Sequence, residues 1–203
     1  MRPLRRVAAP AFLFALACSE TPTVPGQLCL GYPDWATSPY VLPYPVGTGY
    51  QVIQGNCSPP GNGHRGANRY AYDFGMTIGT PVTASRAGTV IEVEESHVDG
   101  EVAAVGKDNY LVILHTDGSN ALYGHLTHDG AAVAVGDVVA QGQLIAHSGN
   151  TGNTAGTPHL HVSVQSCDPV TMGTGSCPSL AFTFSNTDPN PNGLANGRTY
   201  AAK

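Results

Sequence analysis

The stretch Gly156-Thr157-Pro158-His159-Leu160-His161-Val162, continued by Ser163-Val164-Gln165, decides how this chain is read. Alternate side chains of a β-strand share a face. A strand here sends Leu160, Val162 and Val164 into a core and turns His159, His161 and Ser163 the other way. Two imidazoles side by side on one face suit a metal site, with one ring as ligand and its neighbour free to move protons. Taken alone, the pair reads more simply as surface histidines on an exposed strand, because two donors are too few for a site. The question is whether the rest of the chain supplies the missing donors.

Working outward, the chain from Tyr40 onward is a series of short β-branched or apolar runs punctuated by Gly, Asp, Asn and Pro clusters. Strands are expected over Tyr50 to Ile53, Tyr70 to Phe74, Thr89 to Glu94, Tyr110 to His115, Ala121 to Leu126, Gln143 to Ala146 and Leu160 to Gln165. Asp117-Gly118 between two of them signals a hairpin. Sustained helical periodicity is absent, so the expected class is all-β and mainly antiparallel.

Donors of the right kind occur at Gly63-His64 and in Tyr70-Ala71-Tyr72-Asp73-Phe74. Alternation puts Tyr70, Tyr72 and Phe74 on the core side and aims Asp73 outward beside the small Ala71. His64 stands in a Gly-rich loop that can fold back. His64, Asp73 and one imidazole of the His159/His161 pair make two nitrogens and one carboxylate oxygen. That is a zinc set of three protein ligands with a fourth position open for water. In Tyr123-Gly124-His125-Leu126, Leu122 and Gly124 alternate with Tyr123 and His125, and His125 alone would read as a half-buried strand histidine. His97, His115, His128 and His147 lie in turn-like or strand-end contexts and read as structural or solvated.

The N-terminus is basic through Arg6 and apolar from Val7 to Ala17, too short to span a bilayer as a mature helix. It closes on Ala15-Leu16-Ala17-Cys18-Ser19, which resembles a bacterial lipobox with Ala15 where Leu is usual. Residues 1–17 are thus expected to be a lipoprotein-type signal peptide, with Cys18 lipidated. Residues 18–38, with Thr21-Pro22-Thr23-Val24-Pro25-Gly26, are expected to be an extended tether. A folded domain is expected over 39–167 and a loop-rich tail over 168–203. Within that tail Leu180 to Phe184 can add an edge strand, and Asp188 to Gly193 reads as loop or disorder. Apart from Cys18, four cysteines remain, Cys29, Cys57, Cys167 and Cys177, which suggest two disulfides in an exported chain. None is spaced CxxC, which argues against a cysteine zinc site. The formal charge is −5, and losing Arg2, Arg5 and Arg6 with the leader makes the remainder more acidic. That excludes a nucleic-acid-binding surface.

With these residues in view, the chain resembles the lysostaphin-type, LytM-like zinc endopeptidases that cut peptide cross-links of bacterial cell walls. The resemblance runs from about Tyr40 to Gln165. It rests on His64 with Asp73, Gly79-Thr80-Pro81-Val82, Gly88-Thr89-Val90, Tyr123-Gly124-His125-Leu126, Gly136-Asp137, Gly142-Gln143, Ser148-Gly149-Asn150-Thr151-Gly152 and Pro158-His159-Leu160-His161. It implies a barrel-sandwich hybrid fold with long loops around a groove and one zinc ion per chain. It implies His64, Asp73 and His161 as the metal ligands and His125 and His159 as catalytic residues that do not bind the metal. Peptidoglycan stem peptides become the expected substrate, and a monomer in the cell envelope the expected form. The commonest family form spaces its first His and Asp more closely than this chain does, where Arg65 to Tyr72 intervene. Asn150, Thr151 and the Gly-rich loops are expected to hold the substrate backbone.

Two other functions share features with this sequence. A non-catalytic wall-binding relative that activates another hydrolase would have lost ligand residues, and all five implied positions are filled here. Gly136-Asp137-Val138-Val139 with Gly142-Gln143-Leu144-Ile145-Ala146 also resembles a lipoyl or biotinyl carrier barrel. A carrier needs a modifiable lysine at a hairpin tip, and Lys107 and Lys203, the chain's two lysines, have no such setting.

The lipobox reading makes the first prediction. Cys18→Ser is expected to move the protein from the membrane to the soluble fraction while the domain still folds. Membrane fractionation equal to the parent's would show that Cys18 carries no anchor.

Overall fold

A computed structural model describes residues 29–57, 64–101, 106–167 and 177–203. The leader, Cys18, the first part of the tether and residues 168–176 of the tail lie outside the described residues. The strands are β1 (Gly49–Gln54), β2 (Tyr72–Gly75), β3 (Pro81–Thr83), β4 (Gly88–Glu94), β5 (Tyr110–Leu114), β6 (Asn120–Gly124), β7 (Leu126–Ala131), β8 (Val138–Val139), β9 (Leu144–Ser148), β10 (His159–Gln165) and β11 (Thr199–Ala201). Two single-turn 3₁₀ segments, Trp35–Thr37 and Gly66–Asn68, are the helical elements among the described residues. The class is all-β, with antiparallel pairing, as expected.

One sheet has the order β11-β1-β2-β10-β6-β5-β4-β8, and a smaller one the order β3-β9-β7. Strand β10 lies between β2 and β6, and all of it is buried. Its period-two pattern does what alternation dictates. Leu160, Val162 and Val164 enter a core with Tyr72, Phe74, Ala121, Tyr123, Leu111 and Ile113 from the neighbouring strands. The small sheet adds Val82, Leu126, Ile145 and Ala146 to the same core. Each large apolar side chain removed from water there contributes about 1.5–3 kcal/mol.

Three expectations change. Tyr70 is not in the strand: the turn that begins at Gly66 (φ +57°) delays the extended run until Tyr72, and Tyr70 packs at the surface edge-on to Tyr32, 5.8 Å between centroids. The run from Ala121 to Leu126 is two strands, because His125 interrupts it with φ +59°. Leu180 to Phe184 forms no strand, yet the chain at its start bonds to β10 beyond the residues that pair with β2, through an isolated bridge of Ser179 to Gln165 and a Leu180 N–H bond to Val164 O at 2.7 Å.

The tail is also more than loop. Phe182, Phe184, Leu194, Tyr200 and Ala202 belong to the core, and β11 pairs with β1. Phe182 and Phe184 pack edge-on or tilted against Tyr72 at 5.2 and 5.6 Å. The Asp188 to Gly193 turn is organised by the buried Asn190, whose amide accepts from Phe184 N–H and donates to the carbonyls of Phe184 and Asp188. At the other end, the described part of the tether is held to the domain. Cys29 is buried and bonded to Cys57, the Tyr70 hydroxyl donates to Leu30 O, and Ser38 Oγ donates to Thr183 O. The second disulfide joins Cys167 and Cys177, so the four described cysteines form the two disulfides expected of them.

Phe184 is fully buried in the aromatic cluster. Phe184→Ala is therefore expected to lower the unfolding free energy by about 3–5 kcal/mol, measured by urea denaturation with the disulfides intact. A loss below about 1 kcal/mol would show that the tail does not help hold the core together.

Candidate active site

Register brings the donors together. Across the large sheet, Asp73 on β2 stands opposite His161 on β10, His161 opposite Gly124 on β6, and Gly124 opposite Tyr110 on β5. Asp73 and His161 are thus neighbours because two antiparallel strands pair in this register, although 88 residues separate them. Gly124 leaves the row without a side chain between His161 and Tyr110, so the floor there stays open.

His64 enters from the segment before the 3₁₀ turn. Its Nε2 lies 3.2 Å from Asp73 Oδ1, and His161 Nδ1 lies 2.8 Å from the same oxygen. One donor atom from each of the three residues falls within 4.8 Å of the others. Gln54 at the end of β1 supports two of them at once. With its amide nitrogen toward the carboxylate, as its neighbours require, it donates to Asp73 Oδ2 at 3.2 Å and accepts from the His64 backbone N–H at 3.1 Å. His64 Nδ1 faces Gly55 O at 3.3 Å.

Burial opposes ionisation of Asp73, but hydrogen bonds from His161 and His64 outweigh it and hold the carboxyl far below the usual carboxylate range. Burial pushes His161 down to about 4, against the pull of Asp73. An ionised carboxylate beside a neutral imidazole is the protonation state that metal ligation needs. Two imidazole nitrogens and a carboxylate oxygen converging at the edge of an open cleft fit a three-ligand zinc set.

Beside this cluster stand the other two histidines. His159 turns Nδ1 to Thr157 O at 2.7 Å. Its Nε2 lies 3.6 Å from Asp73 Oδ2, beyond hydrogen-bond reach. His125 should, by alternation, share the core face of Tyr123. The positive φ re-aims it, and its ring lies 4.6 Å from that of His159, centroid to centroid. His125 Nδ1 faces Thr151 O at 2.8 Å and Asp108 Oδ1 at 3.1 Å. In both rings these acceptors place the proton on Nδ1 and leave Nε2 as the second nitrogen. The environments push the two pKa values apart. Burial lowers His159, whereas for His125 the bond to Asp108 overcomes burial and raises it.

The five side chains line one cleft of about 500 Å³, with Gln54, Asn68, Asp108, Tyr110, Asn153 and Thr154 among the other lining residues. Asn150 and Thr151, expected to touch substrate, are instead committed internally. Asn150 Oδ1 accepts from Thr154 Oγ1, and Thr151 Oγ1 bonds Asn109 N–H and Leu126 O. The cleft wall passes to the next residues of the loop. His97, His115, His128 and His147 do not line the cleft. Gln54 and Asp108 were not among the residues expected at the site. Neither carries a local signal, since a Gln at a strand end and an Asp in a polar loop are common.

Residues 67–172 match the model of peptidase family M23, and the chain belongs to that family. His64 falls just before the matched span. The chain is 38% identical over 100 residues to lysostaphin of Staphylococcus simulans, covering 49% of this chain and 18% of that protein. It is 37% identical over 100 residues to the glycyl-glycine endopeptidase ALE-1 of Staphylococcus capitis (49% of this chain, 25% of that protein). Over 125 residues it is 37% identical to the peptidoglycan DD-endopeptidase ShyB of Vibrio cholerae (60% and 26%). The chain thus spans about a quarter or less of the length of these curated relatives. Among solved structures, the lysostaphin catalytic domain from Staphylococcus simulans aligns with a TM-score of 0.42 at 30% identity, over 69% of this chain and 84% of that one.

Gln54→Leu removes the amide that ties Asp73 to the His64 backbone and is expected to weaken zinc retention about ten- to a hundredfold, read by competition with a chromogenic chelator. Retention equal to the parent's would show that the amide does not orient the donors.

Proposed function

We propose that this chain is a zinc-dependent endopeptidase that hydrolyses peptide cross-links of bacterial peptidoglycan, with His64, Asp73 and His161 as metal ligands and His125 and His159 as catalytic residues. The observation that carries the reading is the convergence of His64 Nε2, Asp73 Oδ1 and His161 Nδ1 in a cleft that also holds two imidazoles outside the donor set. Membership of peptidase family M23 supports the reaction class. Relatives named glycyl-glycine endopeptidase and peptidoglycan DD-endopeptidase support a peptide bond of the wall as the target.

Zinc held by those three residues would supply Lewis acidity toward water and the scissile carbonyl. The chain's own residues do the rest. His125 and His159 present Nε2 to the cleft, where one ring takes a proton from the attacking water and the other gives one to the leaving amine. A protonated ring beside the carbonyl also steadies the oxyanion. Gln54 holds Asp73 through Oδ2, which leaves Oδ1 for the metal. The open cleft suits an extended stem peptide. The proposed setting is the cell envelope, with the chain a monomer anchored through lipid at Cys18.

The test is zinc analysis of each dialysed variant beside its rate on purified wall sacculi. His64→Ala, Asp73→Ala and His161→Ala are expected to lose zinc and activity together. His125→Ala and His159→Ala are expected to keep near-stoichiometric zinc and lose about a hundredfold or more in rate. If His159→Ala loses zinc and His161→Ala keeps it, the roles within the pair are reversed. If the parent binds zinc yet leaves sacculi intact, it is a wall-binding relative rather than an enzyme.

A further inference from the structure

His125 and His159 face the same cleft but are supported differently from behind. Each has one backbone carbonyl on Nδ1, Thr151 O for His125 and Thr157 O for His159. One carbonyl is enough to select the tautomer and fix the ring. His125 has a second acceptor on the same nitrogen, Asp108 Oδ1 at 3.1 Å. Tautomer selection does not need it. A carboxylate brings a full negative charge where a carbonyl brings a dipole.

Asp108 is held in place from both sides. Asn153 N–H reaches its Oδ1 at 3.3 Å. Gly152, at φ +72°, lays its backbone so close that a Cβ there would fall 1.6 Å from the same oxygen. On the chain side, Asn109 is fully buried. Its N–H donates to Thr151 Oγ1, its side chain bonds the backbone N–H and carbonyl of His97, and its carbonyl accepts from Leu126 N–H. The residues before β5, those flanking His125 and the loop at Thr151 are thereby locked around one ring. Among the described residues His159 has no comparable carboxylate of its own: the one beside it, Asp73, is committed to His161, His64 and Gln54.

We propose that Asp108 is a positioning residue of the reaction, acting through His125 by stabilising the positive charge that this ring carries while it moves a proton. The inference rests on the endopeptidase reading above and divides the labour between the two histidines. His159, backed by a neutral carbonyl, takes the proton from water as the water oxygen bonds to the carbonyl carbon. His125, backed by the carboxylate, steadies the oxyanion and passes its proton to the amine nitrogen as the carbon–nitrogen bond breaks. A proton transferred from His159 to His125 through solvent in the open cleft restores both rings.

Asp108→Asn tests this directly. Its amide oxygen can still accept both hydrogen bonds, so the substitution removes the charge alone. On purified sacculi, the zinc-loaded variant is expected to lose about tenfold to a hundredfold in kcat, with apparent KM, zinc content and thermal midpoint unchanged. Asp108→Ala is expected to lose at least as much, and Asp108→Glu to recover part of the rate. A parental kcat for Asp108→Asn overturns the proposal. So does a loss that tracks zinc content or the thermal midpoint, which would mark a carboxylate that only holds the loop together. A zinc-loaded parent that leaves sacculi intact removes the endopeptidase reading and this one with it, whereas an active parent with an equally active Asp108→Asn removes only this one.

Discussion

The pairing of β2 with β10 is the constraint on which the site depends. Its register sets Asp73 against His161, and a slip by one residue would carry the whole polar set to the core face. What prevents the slip is the other face. Leu160, Val162, Tyr72 and Phe74 are all fully buried, and exposing them would cost several kcal/mol. The hydrophobic core therefore acts as the alignment device of the polar cluster. The aromatic tail contributes to that alignment, since Phe182 and Phe184 close over Tyr72 from beyond the family-matched span.

Polar residues then complete what the register begins. Burying an ionised carboxylate is costly unless each of its oxygens finds partners. Asp73 satisfies both, through His161 and His64 on one oxygen and Gln54 on the other. The same Gln54 receives the His64 backbone, so the long segment between His64 and Asp73 is fastened near its start. Cys57, bonded to Cys29, stands seven residues before His64 in the chain. The groove is thus framed by segments far apart in sequence, and its rigidity comes from hydrogen bonds that cross between them.

The two histidines outside the donor set reach the cleft by different routes. His159 arrives by strand alternation. His125 arrives by breaking it, through a left-handed backbone that non-glycine residues adopt at a cost. That conformation is held by the bonds from its ring to Thr151 and Asp108. Strain of this kind collects where a side chain must point against the direction its strand would give it.

The amino-acid order alone was enough for the class of fold and the strand carrying His159 and His161, whereas the five side chains that line the cleft were singled out together only through the family resemblance. Period-two alternation is a local property, and Leu160-His161-Val162 and Tyr72-Asp73-Phe74 express it without help. Local pattern also misplaced things. It put Tyr70 in the strand and ran a single strand through His125. Only the tertiary structure decided those, because the turn at Gly66 is bonded to Ser179 and the ring of His125, at its positive φ, to Thr151, partners far along the chain. Gln54 and Asp108 were invisible for the same reason. A hydrogen bond to a ligand or to a catalytic ring leaves no periodicity behind, and its meaning appears only when folding brings the acceptor within about 3 Å of its donor.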